Sequence, residues 1–185
     1  MNIFDPVALL VAVAVVVLAL VVLARPRPRR PVGLAAVTGR RGGAASVEAT
    51  MNLGLARYVL GDLEGACASF DEVLRQEPRN AFAFGNRGLA RHALGDRRGA
   101  LADFDRALAL APREAAFYVN RGIVRDKLGD LRGALADFDA ALRLAPRDAA
   151  AYVNRAIVRE KLGDRQGALA DYSHADQYRK ALVRL

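Results

Sequence analysis

The feature that most constrains this chain is a period of 34 residues. The pattern Gly-Asp-x-x-Gly-Ala occurs at residues 61–66, 95–100, 129–134 and 163–168. Prolines keep the same step at Pro78, Pro112 and Pro146, and so do the aromatics Phe70, Phe104, Phe138 and Tyr172. A period of this length marks one supersecondary unit that stacks on its own copies, and it outranks composition as evidence of fold.

One unit shows the local logic. From Ala115 to Leu128 the apolar residues Tyr118, Val119, Ile123, Val124 and Leu128 recur at helical spacing, which predicts a first amphipathic helix. Gly129 ends it, because glycine takes a left-handed C-terminal conformation at little cost, and Asp130 is placed to cap the next helix. The second helix runs through Ala134, Phe138, Ala141, Leu142 and Leu144 and stops before Pro146. Gly122, Ala134 and Ala141 stand where the two axes must come close. Such a hairpin cannot bury its apolar face alone, so neighbouring copies must pack together.

These landmarks resemble the tetratricopeptide repeat. The resemblance rests on the period, on Gly54, Gly88 and Gly122 in the first helix, on Ala66, Ala100, Ala134 and Ala168, and on the prolines. A bacterial subtype with Tyr-x-Asn-Arg-Gly, Leu-Gly-Asp and Ala-Asp-Phe-Asp is similar to the stretch Tyr118–Asp139. It covers about residues 47 to 182 and implies an all-α, right-handed superhelical solenoid of four helix-turn-helix repeats, near 47–80, 81–114, 115–148 and 149–182. The outer units depart from the pattern: Thr50 replaces an aromatic, Ala156 a glycine and Lys180 a proline. With no separate capping helix after the fourth repeat, its second helix is expected to run long.

Ahead of the repeats, Val7–Ala24 holds no charged or strongly polar side chain over 18 positions. As a helix it measures roughly 27 Å, enough to cross a bilayer core. Asp5 and Pro6 suit a helix start. A cleaved secretory signal would open with basic residues, and this one has only Asp5 before the run. Residues 1–24 are therefore expected to be an uncleaved transmembrane anchor, 25–46 an Arg/Pro/Gly-rich linker, and 47–185 the repeat domain. Arg25, Arg27, Arg29 and Arg30 favour retention on the cytoplasmic side, giving a single-pass inner or plasma membrane protein with cytoplasmic repeats. The same four arginines could also meet anionic headgroups.

The chain carries a net charge of +8, but the linker holds six arginines and no acid. Residues 47–185 carry 22 basic against 19 acidic residues, too near balance for nucleic-acid binding by a concentrated basic face. Cys67, the only cysteine, provides neither a disulfide framework nor a thiolate metal site, which agrees with a reducing compartment. His92 and His174 have no second ligand at metal spacing. The pairs Asp103/Asp105 and Asp137/Asp139 lie two positions apart on a helix, point to different faces, and are expected to be solvated. With no phosphate-cradling loop and no nucleophile motif, neither an enzyme nor a cofactor is expected.

The resemblance implies a concave groove lined by the first helices, which receives a protein or peptide. Residue by residue, that places Met51, Leu55, Tyr58, Val59, Phe82, Leu89 and His92 at an apolar end. Val119, Ile123, Asp126, Lys127, Val153, Ile157, Glu160 and Lys161 then form a mixed-charge end. Asn52, Asn86, Asn120 and Asn154 recur along it, and two readings stand: they hold a ligand's main chain, or they tie neighbouring helices together. The carboxylate clamp of chaperone-tail-binding members is not expected, because Met51 and Ala116 stand where two clamp lysines belong. Arg57, Arg91, Arg125, Arg159 and Arg87, Arg121, Arg155 also recur, and pairing with Asp103, Asp137 and Asp171 is favoured over reading phosphates, since an unpaired charge beside a helix interface is costly. The function expected is a membrane-anchored protein-interaction scaffold. Its alternatives are a homo-oligomer in which the last repeat enters another copy's groove, and a periplasm-facing envelope assembly or secretion factor.

Overall fold

A computed structural model describes residues 46–183. The apolar run Val7–Ala24 and the arginines of the linker lie outside the described residues. Among the described residues no helix is long and apolar enough to cross a membrane.

Among the described residues eight α-helices form four hairpins: α1 (Val47–Val59) with α2 (Leu63–Gln76), α3 (Ala81–Ala93) with α4 (Arg97–Leu110), α5 (Ala115–Leu128) with α6 (Leu131–Leu144), and α7 (Ala149–Lys161) with α8 (Arg165–Val183). Each hairpin turn is built as the sequence requires. Gly61, Gly95, Gly129 and Gly163 all have φ between 83° and 88°, a conformation that penalises any side chain. The aspartate that follows each glycine accepts a hydrogen bond from the backbone N–H three residues on, as Asp130 does from Gly133 at 2.9 Å.

Within the first three hairpins the first helix lies close to the second because a glycine faces a ring. A Cβ added at Gly122 would stand 2.8 Å from Cε1 of Phe138, and one at Gly54 would stand 2.6 Å from that of Phe70. The three phenylalanines at this position, 70, 104 and 138, are fully buried. Between hairpins the contact is equally regular: Leu74, Leu108 and Leu142 each cluster with the third residue of the next first helix, Ala83, Phe117 and Ala151. No core runs through the whole stack; six small clusters follow one another along it, as a repeat with nearest-neighbour packing demands.

Successive first helices also touch one another directly, α1 with α3, α3 with α5 and α5 with α7. Successive second helices approach less closely, so the stack curves with α1, α3, α5 and α7 on its inner side. The last helix has 19 residues where the other second helices have 14, the long final helix expected from the sequence. At the register of Leu110 and Leu144 it carries Tyr178, whose ring lies 5.7 Å from Tyr152 and 6.4 Å from His174.

Candidate functional site

The repeating arginines and aspartates form a ladder. Asp103, Asp137 and Asp171 are at most 2% exposed, so the expectation that Asp103 and Asp137 are solvated is wrong. Each is buried because two arginines of its own hairpin close on it. Arg121 grips Asp137 with both arms of its fork, Nε at 3.0 Å and Nη2 at 2.6 Å, while Arg125 Nη1 donates at 3.0 Å. The third nitrogen of Arg121 reaches back to Asp105 of the preceding hairpin at 2.7 Å. The same arrangement joins Asp71, Arg87 and Asp103, and then Asp139, Arg155 and Asp171.

Paired acids two positions apart therefore do point to different faces, yet both serve arginines: one inside its own hairpin, one across to the next. Pairing within the hairpin was foreseen from the sequence, whereas the bridge between hairpins was not. The aromatic at the fourth position of the first helix covers each guanidinium, with Phe84, Tyr118 and Tyr152 centroids 5.3 to 5.7 Å from the cation. The aspartates of the ladder raise the pKa of all three arginines. For Arg87 and Arg155 the hydrogen bond to the buried aspartate is the largest cause. For Arg121, burial opposes the charge and the bonds to Asp137 and Asp105 more than offset it.

In the first hairpin Leu53 takes the arginine position and Ser69 the aspartate position. Arg57 remains, donating to Ser69 Oγ at 3.0 Å and to Gly65 O at 3.2 Å. With no guanidinium to cover, an aromatic loses that purpose, and Thr50 stands in its place.

The ladder fills one side of the first helices, so the residues left for a partner are those on the inner side. At the N-terminal end, Leu55 and Tyr58 are half-buried against the cluster of Ala66, Phe70 and Ala90, with Met51 beside them. Burial also raises the Tyr58 pKa. Phe82 is 58% exposed and packs on Phe117 with ring centroids 5.6 Å apart. Leu89 and Ile123 are partly buried against the clusters around Phe104 and Phe138. They form a floor, while Phe82 stands proud of it.

Phe117 escaped the sequence reading. Its position carries alanine in the other repeats, Ala49, Ala83 and Ala151, while Gly85 stands where they have Met51, Val119 and Val153. The two exchanges are linked, because a Cβ at Gly85 would lie 2.4 Å from Cε1 of Phe117. A small-for-large swap one repeat apart was the available signal. It places an aromatic floor beneath Phe82 in the middle of the stack.

His92 is half-buried, and its Nδ1 has no hydrogen-bond partner among the described residues. Burial and the nearby cations Arg97 and Lys127 lower its pKa, so the imidazole is neutral and keeps polar capacity to spare. Lys127 is exposed, whereas Lys161 is paired with both oxygens of Asp126 at 2.5 and 2.6 Å. Glu160 accepts from the Tyr172 hydroxyl at 3.3 Å. The mixed-charge end is in this way largely self-neutralised.

The asparagine column divides. Asn52 is exposed, Asn86 makes only a 3.6 Å contact from Nδ2 to the Met51 sulfur, and Asn154 donates to the Ala150 carbonyl of its own helix at 3.0 Å. The Asn120 amide has no hydrogen bond among the described residues. Strong amide bridges between helices do not appear.

The comparisons fit this geometry. No curated protein matches the chain in sequence. Among solved structures, a crystal structure of MamA superposes with a TM-score of 0.70 at 22% identity over 75% of this chain and 81% of that one, and MamA from Desulfovibrio magneticus RS-1 with 0.68 at 21%, over 74% and 77%. The first tetratricopeptide domain of Spaghetti (RPAP3), solved bound to the HSP90 peptide SRMEEVD, superposes with 0.62 at 23% identity, over 63% of this chain and 93% of that one. At such identities the likeness is one of fold. The tetratricopeptide repeat model matches residues 34–81 and 119–181, more than half of the sequence, and the chain belongs to the tetratricopeptide repeat family.

Proposed function

We propose that this chain is a non-enzymatic scaffold that holds a segment of another protein along the inner side of α1, α3, α5 and α7. The observation that carries the reading is Phe82, a large apolar ring left more than half exposed on a buried aromatic floor in the middle of the inner face. A ring held in place from below loses little freedom when a partner covers it, which is the profile of an energetic centre of binding. Asn86 and Asn120, with amides spared from the stack, flank that centre and suit an extended main chain with their paired donors and acceptors. The Spaghetti domain, solved bound to the HSP90 peptide SRMEEVD, lends the same mode by analogy of fold.

The tether is the second part of the proposal and rests on sequence alone. An anchor at Val7–Ala24, with Arg25, Arg27, Arg29 and Arg30 on the cytoplasmic side, would raise the local concentration of a captured partner at the membrane without any added contact. Photo-crosslinking in cells from positions 82 and 89 tests the groove, with position 102 on an exposed outer face as the control. Recovery of one protein from 82 and 89 but not from 102 is expected; equal yields from all three would remove the groove reading. Protease protection in intact cells against spheroplasts separates cytoplasmic from periplasmic repeats.

A further inference from the structure

The two ends of the stack are finished differently. In α8 the positions that face the next repeat elsewhere have turned polar: Asp176 stands at the register of Leu74, Leu108 and Leu142, and Lys180 at that of the prolines. Asp176 is exposed and paired with Lys180 at 2.6 Å. This is what a terminal repeat in contact with water requires. Among the residues of α8 whose burial is described, Leu169 is the large apolar side chain left open, at 70% exposed.

Among the described residues the opposite end has no such finish. Ala49, Leu53, Ala56 and Leu60 lie at spacings of four, three and four on α1 and its last turn, so they form one stripe. In the other repeats the registers of Ala49 and Ala56 are buried against the preceding hairpin, as Ala83, Ala90, Phe117, Val124, Ala151 and Val158 show. In the first repeat both alanines are exposed, Leu53 is 48% exposed and Leu60 84%. The stripe contains no polar side chain over more than three turns, and the arginine that fills the register of Leu53 elsewhere is missing.

The residue order names the occupant. Ala49 and Leu60 are symmetric about a point between residues 54 and 55, and so are Leu53 and Ala56. A second α1 laid antiparallel about a two-fold axis through that point therefore sets every leucine over an alanine. Large side chains enter small sites on both helices, the condition for close helix packing. The other end of a second copy does not fit. Docked as a following repeat would dock, α8 would press the Asp176–Lys180 pair against Ala49, and taking both charges out of water costs more than apolar contact at Leu169 offsets.

We propose that the chain forms a two-fold dimer through this stripe of α1, leaving the inner groove of each copy open. A helix pair of this length buries less than the roughly 1,000 Å² that a stable interface should clear, so the dimer is weak and dissociates on dilution. The register gives a sharp test. In the full chain, purified in a non-ionic detergent and carrying Cys67→Ser, single cysteines are placed at positions 49, 53 and 60 and treated with a short bismaleimide. Position 53 faces its own image with an offset of about 4.5 Å along the axis, and positions 49 and 60 face theirs with about 16 Å, at 1.5 Å per residue. Leu53→Cys is expected to crosslink to itself at least tenfold faster than Ala49→Cys or Leu60→Cys. A mixture of the Ala49→Cys and Leu60→Cys chains is expected to crosslink as fast as Leu53→Cys. Leu53→Glu should convert the protein to monomer in sedimentation with an unchanged helical spectrum. Uniform crosslinking at all positions, which an association through other segments would give, overturns the proposal. So does the absence of any crosslinked dimer, the result if residues before Ser46 cover the stripe.

Discussion

The sharpest test of the ladder compares one charge deletion with two. Asp137 accepts three hydrogen bonds from two arginines whose side chains are 17% and 24% exposed. Replacing it by serine leaves both guanidinium groups partly desolvated and only partly paired: Arg121 keeps its bond to the half-exposed Asp105, and Arg125 keeps the Gly133 carbonyl at 3.3 Å. Breaking a buried ion pair by removing one partner costs about 3–5 kcal/mol, and these residual bonds place Asp137→Ser near the lower bound, about 3 kcal/mol. Arg121→Leu alone should cost about 2 kcal/mol, because Asp137 retains Arg125.

The double variant Arg121→Leu/Asp137→Ser rebuilds the arrangement that the first repeat already uses at Leu53, Ser69 and Arg57. Its remaining losses are the cation–π contact with Tyr118, worth about 0.5–1 kcal/mol, and the exposed pair with Asp105, worth about 0–1 kcal/mol. The double variant should therefore lie about 0.5–2 kcal/mol below the parent, where simple addition of the single losses gives about 5. Equilibrium urea unfolding followed by helical circular dichroism, with matched m-values, reads all four states of the cycle. Additive losses would refute the argument, since they would mean that Asp137 does not act through Arg121.

Three further outcomes follow from the same geometry. Asn86→Ala with Asn120→Ala should weaken capture of the partner crosslinked at Phe82 by at least tenfold and leave the melting temperature nearly unchanged, and a large fall in melting temperature would instead assign these amides to the stack. Gly122→Ala should cost about 1–3 kcal/mol, because its Cβ meets Phe138 inside a closed core, and a neutral effect in thermal unfolding would mean that the ring moves freely. The lowered pKa of His92 means that the unfolded chain takes up a proton first as pH falls, so its contribution is fully present above the ordinary value of 6.5 and is lost as pH drops from there toward the folded value. His92→Gln should flatten stability against pH in that window, and an unchanged slope would show that the imidazole is solvated.

Most of the fold could be read from the sequence because a repeat states its rules four times. Gly129, Asp130 and Phe138 carry local instructions whose meaning does not depend on distant residues, and each recurs in the same place. What could not be read is whatever depends on a neighbour in space. Asp137 and Asp139 look alike on paper, both one position from Phe138, yet Asp139 is 40% exposed and Asp137 is sealed. The difference arises because the first helix of the same hairpin lies over Asp137 while the next hairpin only brushes its outward-facing counterparts. The exchange of Gly85 and Phe117 escaped for the same reason, since the two residues are 32 positions apart and meaningful only as a pair.

The departures from the repeat turn out to be the informative positions. Leu53, Ser69 and Thr50 vary together because a single absent arginine removes the need for both its carboxylate and its aromatic cover. Asp176 and Lys180 vary together because one end of the stack meets water. By the same logic, Ala49, Leu53, Ala56 and Leu60 should have varied toward polar residues if the first helix also met water, and they have not. A scaffold with a finished end and an unfinished one has a built-in direction of assembly, and joining two unfinished ends doubles the grooves available to a partner without closing either.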